Sequence, residues 1–276
     1  ALAQFHFERG NAASELGRSA QTASDYRLAY EHGRRSNTAP QLVARYLQQL
    51  SNAEMVVGNF RAAHALNAQR VAEAPNTGSR IAAQTNYVAS ALMMGDFATA
   101  GAEIPKMQAG VNEMRNLPRM LQANVWTAET SLARASGIVA LEGGRFAEAE
   151  RHFRAALASN DRIVRDEANH TRMINAPANS FSNLATHLRG ELARSLLRQG
   201  RLVEAEVEFR AALLGRLSTL GRFAPETVIA VLGLADGILE QGRYAEAEKL
   251  ARAAFESMEQ MKYAPTAGAF GRALRT

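Results

Sequence analysis

An all-α solenoid of about six helix-turn-helix hairpins is what this 276-residue sequence predicts, on three observations. First, the stretch GRFAEAERHFRAAL, starting at Gly144, recurs as GRLVEAEVEFRAAL from Gly200 and GRYAEAEKLARAAF from Gly242. Second, Phe146, Ala149, Phe153, Ala156 and Leu157 fall at spacings of three and four, one face of a helix. Third, alanine is pervasive and prolines number only seven, while 47% of residues are hydrophobic, enough for a packed helical core. A unit repeated in this way buries its apolar face against its neighbour, so the motif recurs because the interface recurs.

The elements follow in order. ALAQFHFERG at the start already has a helical pattern, with Glu8 and Arg9 inside it. SLARASGIVALEG is a helix ended by Gly143-Gly144, a residue type suited to a left-handed C-cap. Phe146 opens the next helix, and Glu148 and Glu150 are placed in its first turn, where the helix dipole favours acids. The same glycine turn is expected at Gly17, Gly58, Gly95, Gly144, Gly200 and Gly242, spaced 37 to 56 residues apart. Asn59 and Asp96 stand where N-caps belong, and in the first unit Ser19 replaces the aromatic. The longest step carries the polar run NDRIVRDEANHTRMINAPANS, which reads as a long second helix and then an irregular connection around Met173 to Ser180, with Pro177 in its turn. Pro118 marks another join. Residues 1–276 form a single solenoid on this reading, and APTAGAFGRALRT begins a further helix that stops within its pattern, as expected for a piece of a longer chain.

The repeat resembles the tetratricopeptide repeat (TPR) over nearly the whole chain. Seven residues before each turn glycine that family has a small residue, and here stand Gly10, Ser51, Gly137, Ala193 and Ala235, with Val88 departing. Two after the glycine stand Phe60, Phe97, Phe146, Leu202 and Tyr244; five after, Ala63, Ala100, Ala149, Ala205 and Ala247, with Thr22 departing. Nine after stand the large residues Tyr26, Phe153 and Phe209, but Asn67 and Ile104 in the second and third units. Alanines such as Ala149 and Ala205 let facing helices approach, and Phe153 and Phe209 are expected to fill the gap to the next hairpin. The resemblance implies a right-handed superhelical solenoid. The long period and the style of LGLADGILEQGRYAEAEKLARAAFESMEQ are similar to bacterial TPR arrays that precede caspase-like CHAT peptidase domains.

Composition narrows the function. There is no cysteine, which excludes disulfides and thiolate metal sites and fits a cytoplasmic or a periplasmic setting, so the compartment stays open, with the cytoplasm expected ahead of the periplasm. No apolar run is long enough to span a membrane as a helix. The net charge of +5 is interleaved with glutamates along the helices, lysine is nearly absent, and no basic run exists, so nucleic acid is disfavoured. The six histidines share no i,i+3 or i,i+4 spacing with one another, and no metalloprotease, phosphate-loop or serine-nucleophile motif is present. His170 in ANHTR imitates a site but reads as an exposed loop histidine. The expectation is no catalysis, no metal and no cofactor. Trp126 is expected in the core, and Met93, Met94, Met107, Met114 and Met120 as adaptable core filler.

Recognition remains. The resemblance implies that the first helix of each hairpin lines a concave groove. Asn11, Asn52 and Asn86 then form an amide row suited to the backbone of an extended peptide. Phe7 and Gln48 stand where the family's carboxylate clamp needs lysines, so that clamp is not expected. Towards the C-terminus the inward positions become apolar (Ile138, Leu141, Leu197, Ile229, Leu232, Leu239), either as a channel or as a seal, with Asp236 beside them. Arg134, Arg194 and Arg198 rim that region and suit an acidic partner. The function expected is a protein-interaction scaffold or regulatory arm holding a peptide or protein segment in its groove. The alternative is a ligand-sensing TPR domain of a transcription regulator or signalling protein.

Overall fold

A computed structural model describes residues 1–116, 118, 121–165 and 179–261. The expectations for His170, Met120 and the C-terminal helical pattern lie outside the described residues, as does most of the connection expected around 173–180. Among the described residues the chain is an all-α solenoid of twelve helices. They run in six pairs: α1 (Leu2–Glu15) with α2 (Ser19–Arg35), α3 (Pro40–Val56) with α4 (Phe60–Ala72), α5 (Thr77–Met93) with α6 (Phe97–Arg115). Then come α7 (Gln122–Glu142) with α8 (Phe146–Arg165), α9 (Asn179–Arg198) with α10 (Leu202–Leu220), and α11 (Pro225–Leu239) with α12 (Tyr244–Gln260).

Each pair is joined by one backbone device. Gly17, Gly58, Gly95, Gly144, Gly200 and Gly242 all have positive φ, from 68° to 85°. The residue after each glycine donates its N–H to the carbonyl five back, for example Arg18 to Ala13 at 2.8 Å and Arg145 to Ala140 at 2.8 Å. This closes the first helix on its own last carbonyls, and only glycine takes the required conformation without a Cβ penalty. Capping at the start of the second helices is less uniform. Asp96 accepts from the Thr99 N–H at 2.9 Å, whereas the Asn59 side chain makes no cap and donates to Glu54 at 2.7 Å.

In the first, second and fourth hairpins the crossing brings together two residues sixteen apart, seven before and nine after the glycine. A Cβ on Gly10 would lie 2.7 Å from the Tyr26 ring, and one on Gly137 would lie 2.6 Å from the Phe153 ring. The tight contact of Phe153 is therefore within its own hairpin, where the sequence suggests the gap to the next. Phe209 does reach the next hairpin, where a Cβ on Gly233 would come within 2.9 Å of its ring. In the second hairpin the pair is polar: Ser51 Oγ donates to Asn67 Oδ1 at 2.6 Å with both residues buried. In the third, Val88 and Ile104 belong to one apolar cluster. The alanine five after the glycine is fully buried in all five hairpins that have it.

Stacking between hairpins explains the acidic letters of the motif. Arg145, Arg201 and Arg243 each hold the glutamate three residues on, Arg145 Nε to Glu148 Oε2 at 2.9 Å and Arg201 Nε to Glu204 Oε1 at 2.7 Å. Glu150 is not in the first turn of its helix; it accepts from Gln199 at 3.0 Å and from Arg201 at 2.7 Å in the following hairpin. Glu206 repeats this with Gln241 at 2.8 Å and Arg243 at 2.8 Å. The charge pattern thus joins neighbours as well as decorating a wet face.

The ends of the array also meet. Met261, after α12, sits so close to Gly17 that a Cβ there would lie 2.4 Å from its Cγ. Val56 of α3 packs on the cluster formed by Val228, Leu232, Met258 and Met261. The sixth hairpin therefore returns to the first two. Among the methionines, Met107 and Met114 are core, but Met93 and Met94 are exposed because they lie at the open end of α5 beside the Gly95 turn. Trp126 is half-buried.

The same substitution should have opposite signs at two helical glycines. Gly137→Ala should destabilise by about 1–3 kcal/mol through overpacking against Phe153. Gly101→Ala, where a Cβ meets nothing within 4 Å, should stabilise by about 0.5–1 kcal/mol through helix propensity. Urea denaturation of the two variants checks this; equal effects would contradict the packing described.

Candidate functional site

The first helices of hairpins four to six bring three segments around one open cavity of about 690 Å³. The register is regular. Two residues before each turn glycine are Glu142, Arg198 and Glu240; three before are Leu141, Leu197 and Leu239. Arg194 and Asp236, six before their glycines, complete the polar lining, and Phe146 and Phe209 contribute apolar surface. Gly233 leaves room because the Phe209 ring stands directly behind it.

Charge is segregated by wall. Both guanidiniums project from α9, while the carboxylates come from α7 and from α11 and its C-cap. Arg194 and Arg198 form no ion pair with any described residue, in contrast to Arg189 and Arg201 on either side, which bind Glu208 at 2.7 Å and Glu150 at 2.7 Å. A pair of arginines four residues apart on a helix presents two planar donors in one direction. The cavity can hold a polar, extended segment along the array, with acidic groups towards α9.

Arg134 has a different role from the one its sequence position suggests. Its Nε donates to both carboxylate oxygens of Glu191 at 3.2 Å, and its Nη2 contacts Glu191 and His187. The Glu191 side chain is only 4% exposed. Arg134 is thus an internal staple between α7 and α9, occupied by a buried acid and withdrawn from any partner. Both ring nitrogens of His187 face arginines, Nδ1 the Arg216 Nη2 at 2.9 Å and Nε2 the Arg134 Nη2, and Nε2 also lies 3.1 Å from Glu191 Oε1. Burial would raise the Glu191 pKa, but the charge of Arg134 and the bonds from His187 and Arg134 hold it well below the ordinary carboxylate value. The His187 pKa is lowered, by desolvation first and then by the charge of Arg134.

The amide row is not assembled as one open surface. Asn11 Oδ1 accepts from the Tyr26 hydroxyl at 2.8 Å. Asn52 is exposed but lines a narrow cleft of about 100 Å³ that Pro225 and Glu226 of the returning α11 close. Asn86 is half-buried, its backbone carbonyl taken by Asn67 Nδ2 at 3.2 Å. Leu232 is fully buried under α12 in the cluster with Met258, so it touches core and no partner. Of the sequence-selected residues, the structure brings Arg194, Arg198 and Asp236 together. Inward spacing alone does not select the two glutamates, although a signal exists: continuing the backward count to two before each glycine reaches Glu142, Arg198 and Glu240.

Among the described residues, no group of three or more His, Asp or Glu side chains is placed to hold a metal ion, and no helix is long and apolar enough to cross a membrane.

No protein-family model matches the chain, and no curated protein matches it. Among solved structures it is similar to a putative kinesin light chain of Podosopora anserina with nearly identical TPR-like repeats. One crystal structure of that protein, a point variant, has TM-score 0.46 at 18% identity, covering 80% of this chain and 96% of that one. A second crystal structure of it gives 0.44 at 18%, over 80% and 97%. The TPR2AB domain of yeast Sti1, in a complex with pHSP90, gives 0.38 at 13% identity, over 99% and 97%. These neighbours are helical-repeat proteins; the fold described above stands on its own hairpins.

The Arg134–Glu191 staple carries two expected outcomes. Arg134→Ala should cost about 3–5 kcal/mol, because it strands a buried carboxylate. Since the folded-state pKa of Glu191 lies below its unfolded value of 4.5, the pair's contribution is complete above that pH and is lost as pH falls towards the folded value. Thermal melts from about pH 7 to about pH 3 should show a steeper loss in the parent than in Glu191→Gln. Parallel curves would contradict the assignment.

Proposed function

We propose that this chain is a non-catalytic protein-interaction scaffold of TPR type that holds an extended peptide segment in the cavity of hairpins four to six. The single observation that carries the reading is the Arg194–Arg198 couple on α9, which has no ion pair among the described residues and lines a cavity of about 690 Å³. Intramolecular glutamates occupy most of the arginines around it, so two guanidiniums without a described acid are the natural contact for carboxylates of a partner. Glu142 and Glu240 on the opposite walls favour backbone N–H groups or basic side chains of the same segment. Leu141, Leu197 and Leu239 supply the apolar strip on which an extended chain rests.

Recognition on this reading lies in the C-terminal half of the array, away from the asparagines. A role as the recognition arm beside a peptidase domain, in the style of CHAT-associated arrays, is compatible with such a groove. Binding of an arrayed peptide library, read by fluorescence polarisation, tests the proposal. Peptides with paired acidic residues should be enriched. The Arg194→Ala, Arg198→Ala double variant should bind them at least ~10-fold more weakly while keeping its helical content, since charge-assisted bonds to a partner contribute about 1.5–3 kcal/mol. Unchanged binding by the double variant would overturn the site.

A further inference from the structure

A second cavity, of about 630 Å³, lies at the other half of the array, where the connections after α2 and α4 come together. Three arginines distant in sequence line it: Arg34 from the end of α2, Arg45 from α3 and Arg70 from the end of α4. One carboxylate, Glu73, shares the lining, and it lies 3.6 Å from Arg34. Arg45 stacks over the Phe7 ring at 5.0 Å to its centroid and forms no ion pair with a described residue. Arg70 donates to the Asn67 amide oxygen at 3.1 Å and likewise forms no ion pair with a described residue.

Arg70 is the telling group. Burial lowers its pKa to about 10, the reverse of Arg9 or Arg201, whose carboxylate partners raise theirs. Half-buried, and with the neutral amide of Asn67 as its side-chain partner, this guanidinium is a natural contact for an anion in the cavity. The other walls suit an organic body: the accessible Val43, Pro75 and Ala82 line the same cavity. The first turn of α3, which has no side-chain cap, contributes Gln41 to the lining and adds the positive end of its dipole. The volume falls in the range of small-molecule sites.

We infer that the cleft of hairpins one to three is a binding site for a small organic phosphate, its oxyanion held by Arg70, Arg45 and Arg34 and its organic part against Val43 and Pro75. The site is distinct from the peptide cavity of hairpins four to six, and its arginines come from both helices of the layered hairpins. Occupancy would tie α2, α3 and α4 together through one anion.

The experiment is titration calorimetry of the 276-residue chain with phenyl phosphate at fixed ionic strength, with inorganic phosphate, phenol and chloride as comparison probes. Phenyl phosphate should saturate at one site per chain, inorganic phosphate should compete more weakly, and phenol and chloride should give no saturable heat. Arg70→Gln and Arg45→Gln should each weaken phenyl phosphate at least ~10-fold, and Arg151→Gln, exposed on α8, should leave it unchanged. Should Arg70→Gln lose its helical circular dichroism, the exposed Arg45→Gln decides alone. No saturable binding, or binding that neither cleft variant changes, would overturn the assignment.

Discussion

The structure depends on how closely two helices of a hairpin can cross. At Gly10 and Gly137 the approach is tight enough that a methyl group would collide with the ring of Tyr26 or Phe153. That approach sets the crossing of these two hairpins and therefore the surface on which their neighbours stack. A large side chain sixteen residues after a small one is a steric instruction that a helical repeat can copy many times. The variations obey the same volume logic. Ser51 and Asn67 replace the glycine–aromatic pair with a hydrogen bond, and Val88 with Ile104 shares the space more evenly.

Once crossing is fixed, the remaining letters of the repeat find their reasons one hairpin away. The glutamate six after the turn glycine accepts from the Gln and Arg that flank the next turn, at 199–201 and 241–243. These contacts are directional, so they set the register between hairpins while apolar burial supplies most of the stabilisation. The buried Arg134–Glu191 pair is a second device of the same kind, between the first helices of hairpins four and five. It also takes Glu191, the acid on their own helix, away from Arg194 and Arg198, which have no ion pair among the described residues. The groove's chemistry is thus a remainder, the charges left after stacking has used its share.

Much of this is legible in the residues. The six turn glycines are visible because a positive φ leaves few alternatives, and the buried alanines five residues on follow from the same spacing. The site is less legible. Spacing places Arg194, Arg198 and Asp236 on an inward face, yet it places Leu232 there too, and that side chain is sealed by Met258 and Met261. Periodicity reports which face of a helix a residue occupies; it does not report what a later helix lays over it. The return of the sixth hairpin to Gly17 and Val56, which closes the cleft at Asn52, is a property of accumulated curvature and has no local signature. The arginine cleft is invisible for the same reason, since Arg34, Arg45 and Arg70 meet only through stacking.

The central claim is that a small residue facing a large one sets the crossing, and a double-mutant cycle on residues 137 and 153 addresses it directly. Alanine at 137 should be penalised beside the phenylalanine ring and lose most of that penalty when residue 153 is changed to leucine, a coupling of about 1–2 kcal/mol. Strictly additive effects would mean that the two side chains do not govern each other's space, and the account of the repeat would fail with them.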